Sequence, residues 1–162
     1  MALIRGRRNR GIRVRHGDKV VIERDRSGKP VGVNGELLRM LIDAGYTPVV
    51  SIPIVDEDGV AINSENDDIV VALHAELRVR RVVQLIEAPG FLERSDDDSS
   101  VLRELQLADL SRFESQAEGR IKRKLLAIKN LIELGGVEVI LSDGRTNHPI
   151  RDGLAGKGTL IR

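Results

Sequence analysis

Six consecutive polar side chains, Asn63-Ser64-Glu65-Asn66-Asp67-Asp68, lead into an apolar run that reads as a helix over 67–77. The first N–H groups of a helix have no intrahelical partner, so polar residues gathered there can cap the helix, hold an anion or orient a reacting group. With Asn66 or Asp67 as N-cap, ordinary capping explains the same pattern. A second candidate is the cationic run Lys122-Arg123-Lys124. Phosphoryl transfer needs positive charge and N–H donors around the moving group, and a positioned acceptor. By residue type alone the run reads as a solvated charged face, although Lys124 falls beside the apolar stripe, three residues after Ile121. The segment Gly153-x-x-Gly156-Lys157-Gly158-Thr159 is read as a turn, because it lacks phosphate-loop spacing and leads into a strand.

These residues need elements to position them. Thr47 to Pro53 reads as a buried strand, Asp56-Glu57-Asp58-Gly59 as a turn, and a short return strand follows before the polar knot. Upstream, residues 12–16 and 19–24 form a hairpin around His16-Gly17-Asp18. Residues 35–44 are helical, with Leu37, Leu38, Leu41 and Ile42 on one face and a stop at Gly45. Downstream come a β-branched run from Arg81 to Ile86 and a helix over 116–134, carrying Ile121, Leu125, Ile128 and Ile132 and stopping at Gly135-Gly136. Strand Val137 to Leu141, helix 148–155 and strand 158–162 complete the pattern. Short apolar strands separated by helices imply an α/β fold with a largely parallel sheet covered by helices.

Composition narrows the class. A chain of 162 residues can hold one domain with a real core. Charged residues make up 31% and cysteine is absent, which suits a cytoplasmic protein and excludes a disulfide framework or a cysteine zinc site. No apolar run approaches the roughly 20 residues that span a bilayer, so no membrane role is expected. The arginine-rich start lacks the serines of a transit peptide and alternates as a strand does at Ile12 and Val14. Ser95-Asp96-Asp97-Asp98-Ser99-Ser100 reads as a solvated loop, and His16, His74 and His148 lack metal-ligand spacing; no metal site is expected in the protein itself.

Several of these segments together resemble the amino-acid kinase family, and within it the acetylglutamate-kinase branch. They are Gly45-Tyr46-x-Pro48-Val49-Val50, the D-x-x-G turn, Ile62-Asn63-x-x-Asn66-Asp67, Ala88-Pro89-Gly90-Phe91-Leu92, Gly119-Arg120-Ile121-Lys122-Arg123-Lys124, and Asp143-Gly144-Arg145 through Ile161. The basic opening GRRNRGIRVR, the G-R-x-K-R-K block at 119–124 and the D-G-R-x-x-x-P-I ending together are most similar to the subgroup that acts on 2-aminoadipate or glutamate borne by an acidic amino-group carrier protein. The resemblance implies the αβα sandwich of that family. It implies ATP and Mg2+ as cofactors and a phosphorylated side-chain carboxylate as product, in lysine or arginine biosynthesis. It also implies catalytic roles for Lys124 and Asp67, substrate binding by Asn63, and nucleotide contacts from Lys124, Gly119, Glu87, Pro89 and Gly90. Acetylglutamate kinase is the alternative in the same class, and a non-catalytic piece or a subunit of a split kinase lies outside it.

The pattern departs from the family at two places. Ile86-Glu87 stands where a hydroxyl residue followed by Asp or Asn is usual. The glycine-rich phosphate loops, the lysine and the arginine that open family members have no counterpart, so residues 1–162 read as the last three fifths of a single kinase domain. In that domain 1–33 is a basic hairpin region and 34–162 carries the acceptor platform and nucleotide portion. A homo-oligomer and little turnover by this chain alone are expected. Arg7, Arg8 and Arg10 are expected to dock the acidic carrier, since complementary charge speeds encounter and fixes register. Nucleic acid is the rival partner. With 2% aromatics (Tyr46, Phe91 and Phe113) the chain has no platform for stacking bases.

Overall fold

The computed structural model describes residues 2–23, 25–116 and 119–162, without the side chains at 12, 116 and 119–121. It resolves into two compact units, residues 1–77 and 78–162. Among the described residues no helix is long and apolar enough to cross a membrane.

The first unit is built on strands β1 (Ile4–Arg8), β4 (Gly28–Val33), β5 (Ile54–Val55) and β6 (Ala61–Ile62), in the order β4-β1-β5-β6. The β1–β4 and β5–β6 pairs are antiparallel, and β1–β5 is parallel. Strand β1 alternates as a strand must: Ile4 and Gly6 are buried, while Arg5 and Arg7 face outward. Glycine at 6 and 28 lets isoleucine tips rest on the strand backbone. A Cβ at Gly6 would lie 2.6 Å from Ile54 Cδ1, and one at Gly28 2.5 Å from Ile62 Cδ1. Those isoleucines join Ile4 and Ile69 in the core of this unit. The hairpin of β2 (Ile12–His16) and β3 (Lys19–Glu23) forms a sheet of its own and matches the sequence reading closely, save that Arg24 lies outside the described residues.

Helix α1 (Gly35–Asp43) starts where the Asn34 side chain accepts from Leu37 N–H at 3.1 Å, and it packs on α2 (Asn66–Leu77). The contact is close. A Cβ at Gly35 would stand 2.1 Å from Glu76 Oε1, and Arg39 donates to the Glu76 carbonyl and carboxylate at 2.5 and 3.0 Å.

The expected strand over 47–53 is not formed; pairing begins only at Ile54. Val50 and Ile52 pack on the isoleucine core, whereas Val49 is 92% exposed, so the segment is not buried as expected. Pro48 and Pro53 have no N–H to give to a ladder, which leaves the segment outside the sheet.

The second unit carries strands β7 (Arg81–Ile86), β8 (Glu104–Leu105), β9 (Glu138–Asp143) and β10 (Thr159–Ile161), in the order β7-β9-β10-β8. The pairs β7–β9 and β10–β8 are parallel, and β9–β10 is antiparallel. The helix expected over 116–134 is α4 (Gly119–Glu133), and α3 (Leu107–Gln116), which the sequence pattern did not reveal, precedes it. Helix α4 turns Leu125, Ile128 and Leu131 inward, each 2% exposed or less, and packs on β9, whose Val139, Ile140 and Leu141 are equally buried. Helix α5 (Pro149–Leu154) lies against β7 and β9, where Gly153 is needed because a Cβ would be 2.5 Å from Val83 Cγ1. The class is α/β, as the alternation of elements implied.

Candidate functional site

Residues proposed for chemistry occupy both units. In the first, β6 ends at Ile62 and the next residue is clamped by its backbone. Asn63 N–H donates to the Arg26 carbonyl at 2.6 Å, and its own carbonyl accepts from Gly28 N–H at 2.8 Å. The exposed Asn63 thus forms a parallel bridge with Ser27. Ser64 turns inward, 6% exposed, and its hydroxyl has no hydrogen-bond partner among the described residues. Ile69 N–H donates to the Glu65 carbonyl at 3.2 Å, which puts Glu65 at the cap of α2. Asn66 and Asp67, the caps expected from sequence, stand instead in the first turn, where the helix dipole favours the half-buried Asp67 carboxylate.

The D-x-x-G turn has a function of its own. The Asp56 side chain is fully buried and accepts from Asp58 and Val60 N–H at 3.0 and 2.8 Å and from the Arg8 guanidinium. Burial pushes the Asp56 carboxyl up, but these bonds outweigh it and the net direction is down. Arg8, expected to dock a partner, therefore also ties β1 to this turn. Arg7 and Arg10 are exposed and have no ion pair among the described residues. A cavity of about 420 Å³ lies over this sheet, lined by Arg5, Gly6, Arg7, Val31, Asp56 and Glu57.

In the second unit the parallel strands β7 and β9 end side by side, Ile86 opposite Asp143. The carboxyl ends of parallel strands are where α/β proteins place ligands. Glu87 is exposed there, followed by half-buried Ala88 and Pro89 and buried Gly90. A hydroxyl holds this loop: Thr159 Oγ1 accepts from Phe91 N–H at 2.7 Å and donates to the Leu102 carbonyl at 2.5 Å. Gly90 is required by that contact, since a Cβ would lie 2.6 Å from the same oxygen. Beside the loop, the Arg145 side chain donates twice to the Asp143 carboxylate, at 2.8 Å each, and approaches Asp98 at 3.8 Å. The Arg145 guanidinium and backbone N–H hold the Asp143 carboxyl down at about 2. Sequence reasoning gave neither Thr159 nor this pair a role; the D-x-R spacing was its only trace.

Lys124 is half-buried on α4, between the exposed Arg123 and buried Leu125. Gly119 opens the same helix. Asn63 and Asp67 therefore share one segment of the first unit, while Glu87, Pro89 and Gly90 share one loop of the second. The acidic patch at 95–100 forms a loop with one 3-10 turn, in which Asp97 accepts from Ser99 N–H at 2.8 Å and pairs with Arg94. Among the described residues no three His, Cys, Asp or Glu side chains cluster as metal ligands.

The sequence profile of the amino acid kinase family matches residues 3–143. The chain belongs to the amino acid kinase family. Among curated relatives it is 33% identical to the LysW-aminoadipate kinase of Thermus thermophilus over 160 residues, 97% of this chain and 60% of that one. The LysW-aminoadipate kinase of Deinococcus radiodurans is 32% identical, over 91% of this chain and 51% of its own length. The acetylglutamate kinase of Methanopyrus kandleri is 33% identical over 80% and 51%. The chain thus spans a little over half the length of such relatives. Among solved structures, N-acetylglutamate synthase from Neisseria gonorrhoeae complexed with coenzyme A and N-acetylglutamate superposes with a TM-score of 0.81 at 18% identity, over 98% of this chain and 36% of that one. Carbamate kinase from Giardia lamblia bound to AMP-PNP does so with 0.62 at 19% identity, over 93% and 51%. These two likenesses establish the fold of an amino acid kinase.

Proposed function

We propose that this protein contributes to ATP-dependent phosphorylation of the side-chain carboxylate of 2-aminoadipate, or glutamate, attached through its amino group to an acidic carrier protein. The observation that carries the reading is the 33% identity to a LysW-aminoadipate kinase over nearly the whole chain. The product is an acyl phosphate made in the cytoplasm. Lys124 would supply positive charge to the transferring phosphoryl group and its nucleotide. Asn63 would hold the acceptor, and Asp67 would fix cationic side chains by charge-assisted hydrogen bonds. The loop at Glu87, Pro89 and Gly90, with Gly119 at the head of α4, would carry the nucleotide. The strand-end position of that loop and its anchoring by Thr159 fit a ligand of this kind. Magnesium requires no protein cage here, because it binds chiefly through phosphate oxygens and water. Arg7, Arg8 and Arg10 would meet the acidic carrier, and the working enzyme would be a homo-oligomer that uses neither nucleic acid nor membrane.

The identity to acetylglutamate kinases supports N-acetylglutamate as the second acceptor. Both are tested by incubating the protein with ATP, magnesium and each acceptor in hydroxylamine, which traps acyl phosphates as hydroxamates. Hydroxamate on the carrier-bound amino acid, in the small amount that the little turnover expected of this chain alone would give, is the expected result. Hydroxamate with N-acetylglutamate alone would transfer the assignment to the second reading, and none with either acceptor would overturn both.

A further inference from the structure

Strand β7 (Arg81–Ile86) stands at one end of the β7-β9-β10-β8 sheet and is paired on one side only, to β9. Its ladder shows which backbone groups are spent. The Arg80 and Ile86 carbonyls accept from Glu138 and Gly144 N–H at 2.9 and 2.8 Å, so the even-numbered residues point at β9. Backbone groups alternate in direction along a strand. Arg81, Val83 and Leu85, with Glu87 next in line, therefore point outward, and among the described residues no strand meets them. A row of open donors and acceptors on an apolar strand is a template for another strand.

The strand that fits it is β7 of a second copy, run antiparallel. A twofold axis normal to the sheet keeps every side chain on its own face, and outward-pointing residues must face outward-pointing ones. With the axis through Gln84, Val83 faces Leu85, Val82 faces Ile86 and Arg81 faces Glu87 of the second copy. Moving the axis to Val83 sets Arg81 against Leu85. Moving it to Leu85 sets Arg81 against Pro89, which has no N–H to give. Only the Gln84 register brings opposite charges together. Arg81 is bonded to Glu138 at 2.7 Å on the β9 side, while the exposed Glu87 has no ion pair among the described residues. Each Arg81 would then lie between two carboxylates, a favourable cross-strand arrangement.

Helix α5 favours the same seam. It lies against both β7 and β9. Two copies joined at β7 would set their α5 helices two strand spacings apart, about 10 Å, which is the separation of packed helices. Ile150 and Leu154, one turn apart on one flank of α5, are 63% and 54% exposed. The Arg81 guanidinium reaches the Leu154 carbonyl at 3.4 Å, which sets that end of α5 over the edge strand. Val83 meets Gly153 of α5, and Leu85, 42% exposed, shares the face of Val83.

We propose that the chain pairs with itself through β7, antiparallel about Gln84, joining two four-stranded sheets edge to edge. The inference rests on the homo-oligomer of the proposed function and names its seam.

Sedimentation equilibrium of the full chain tests it, and a dimer is the expected state. Leu85→Pro removes an outward N–H and spares the β7–β9 ladder, as proline is tolerated on the open side of an edge strand. Symmetry removes that bond twice, so the dissociation constant should rise about thirtyfold. Leu126→Lys, at an exposed leucine of α4, should leave it unchanged. Should Leu85→Pro fail to fold by circular dichroism, Leu85→Lys decides. Gln84→Cys tests the register, because the chain has no other cysteine. Residues opposite in a non-hydrogen-bonded pair have Cα atoms about 4.5 Å apart, within reach of a disulfide, so mild oxidation should yield a covalent dimer from Gln84→Cys and none from Leu126→Cys. A monomer, a dimer indifferent to the Leu85 variants, or no covalent dimer from Gln84→Cys would overturn the proposal. A monomer that forms hydroxamate loses this seam and keeps the proposed reaction; a β7-paired dimer that forms none does the reverse.

Discussion

In residues 78–162, Arg81, Arg94, Arg145, Lys157 and Arg162 each meet a carboxylate, on Glu138, Asp97, Asp143, Asp152 and Glu104. In residues 1–77, Arg5, Arg7, Arg10, Arg13, Arg15 and Lys29 have no such partner among the described residues; Arg8, which braces a buried turn, and Arg39, which meets Glu76, do. Exposed ion pairs contribute little stability individually, but they cancel the field around a surface. Charges left unpaired on one face keep that field and attract oppositely charged ligands. The same residue types are thus neutralised by carboxylates in one unit and keep their field in the other, which is what the proposed docking would use.

The largest effect expected from breaking this contrast is at a cation beside the core of the second unit. Lys124→Ala should lower hydroxamate formation by about 10²–10³ and weaken binding of ATP more than of adenosine, because a point charge senses the phosphates. Equal weakening of both ligands would place Lys124 away from the phosphates. Next comes backbone fit. At Gly158, φ is +133° and a Cβ would sit 2.0 Å from the Leu141 carbonyl oxygen, so Gly158→Ala should cost about 2–4 kcal/mol in urea unfolding. At Gly17, φ is +61° and the space is open, so alanine should cost only about 1 kcal/mol.

Charge reversal addresses the comparison directly. Arg7→Glu with Arg10→Glu should slow association with the acidic carrier about tenfold at low salt and flatten its salt dependence, read by stopped-flow. Arg162→Glu should leave both unchanged. A wild type that ignores the carrier yet binds generic duplex DNA with a steep salt slope would remove the docking assignment. The smallest effect is acid stability. Since Arg145 lowers the folded Asp143 carboxyl to about 2, below an unfolded value of about 3.9, its contribution is complete above about pH 4 and fades as pH falls toward 2. Asp143→Asn should flatten that part of an acid-unfolding curve monitored by circular dichroism.

Much of the fold could be read from periodicity. Helix α1 repeats its apolar face at Leu37, Leu38, Leu41 and Ile42 and β2 alternates, while α2 shows as an apolar run after a polar knot and β7 as a β-branched run. Strands β1 and β4 were missed because their inward positions include Gly6 and Gly28, whose burial comes from isoleucines reaching across the sheet and leaves no side chain at those positions to mark the alternation. The segment at 47–53 erred the other way, with strand-like alternation but two residues unable to donate. Of the candidate site, the Asn63–Asp67 segment was visible as a motif. The Thr159 hydroxyl that anchors the loop to Phe91 N–H and the Leu102 carbonyl was not, because its partners lie far away in the sequence.

Gly6 also bears on how this sheet can vary over evolution. Its missing Cβ is the space that Ile54 Cδ1 and Ile62 Cδ1 occupy, at 2.6 and 2.9 Å from where that atom would be. Neither side of the contact can change freely: alanine at 6 needs valine at 54 and 62 to withdraw both methyl groups and a small shift of the position 54 Cγ1, 3.0 Å away, and valine there with glycine retained leaves a void. The three positions hold one shared volume, and mutations within it are expected to be epistatic, each acceptable or damaging according to what the others have become.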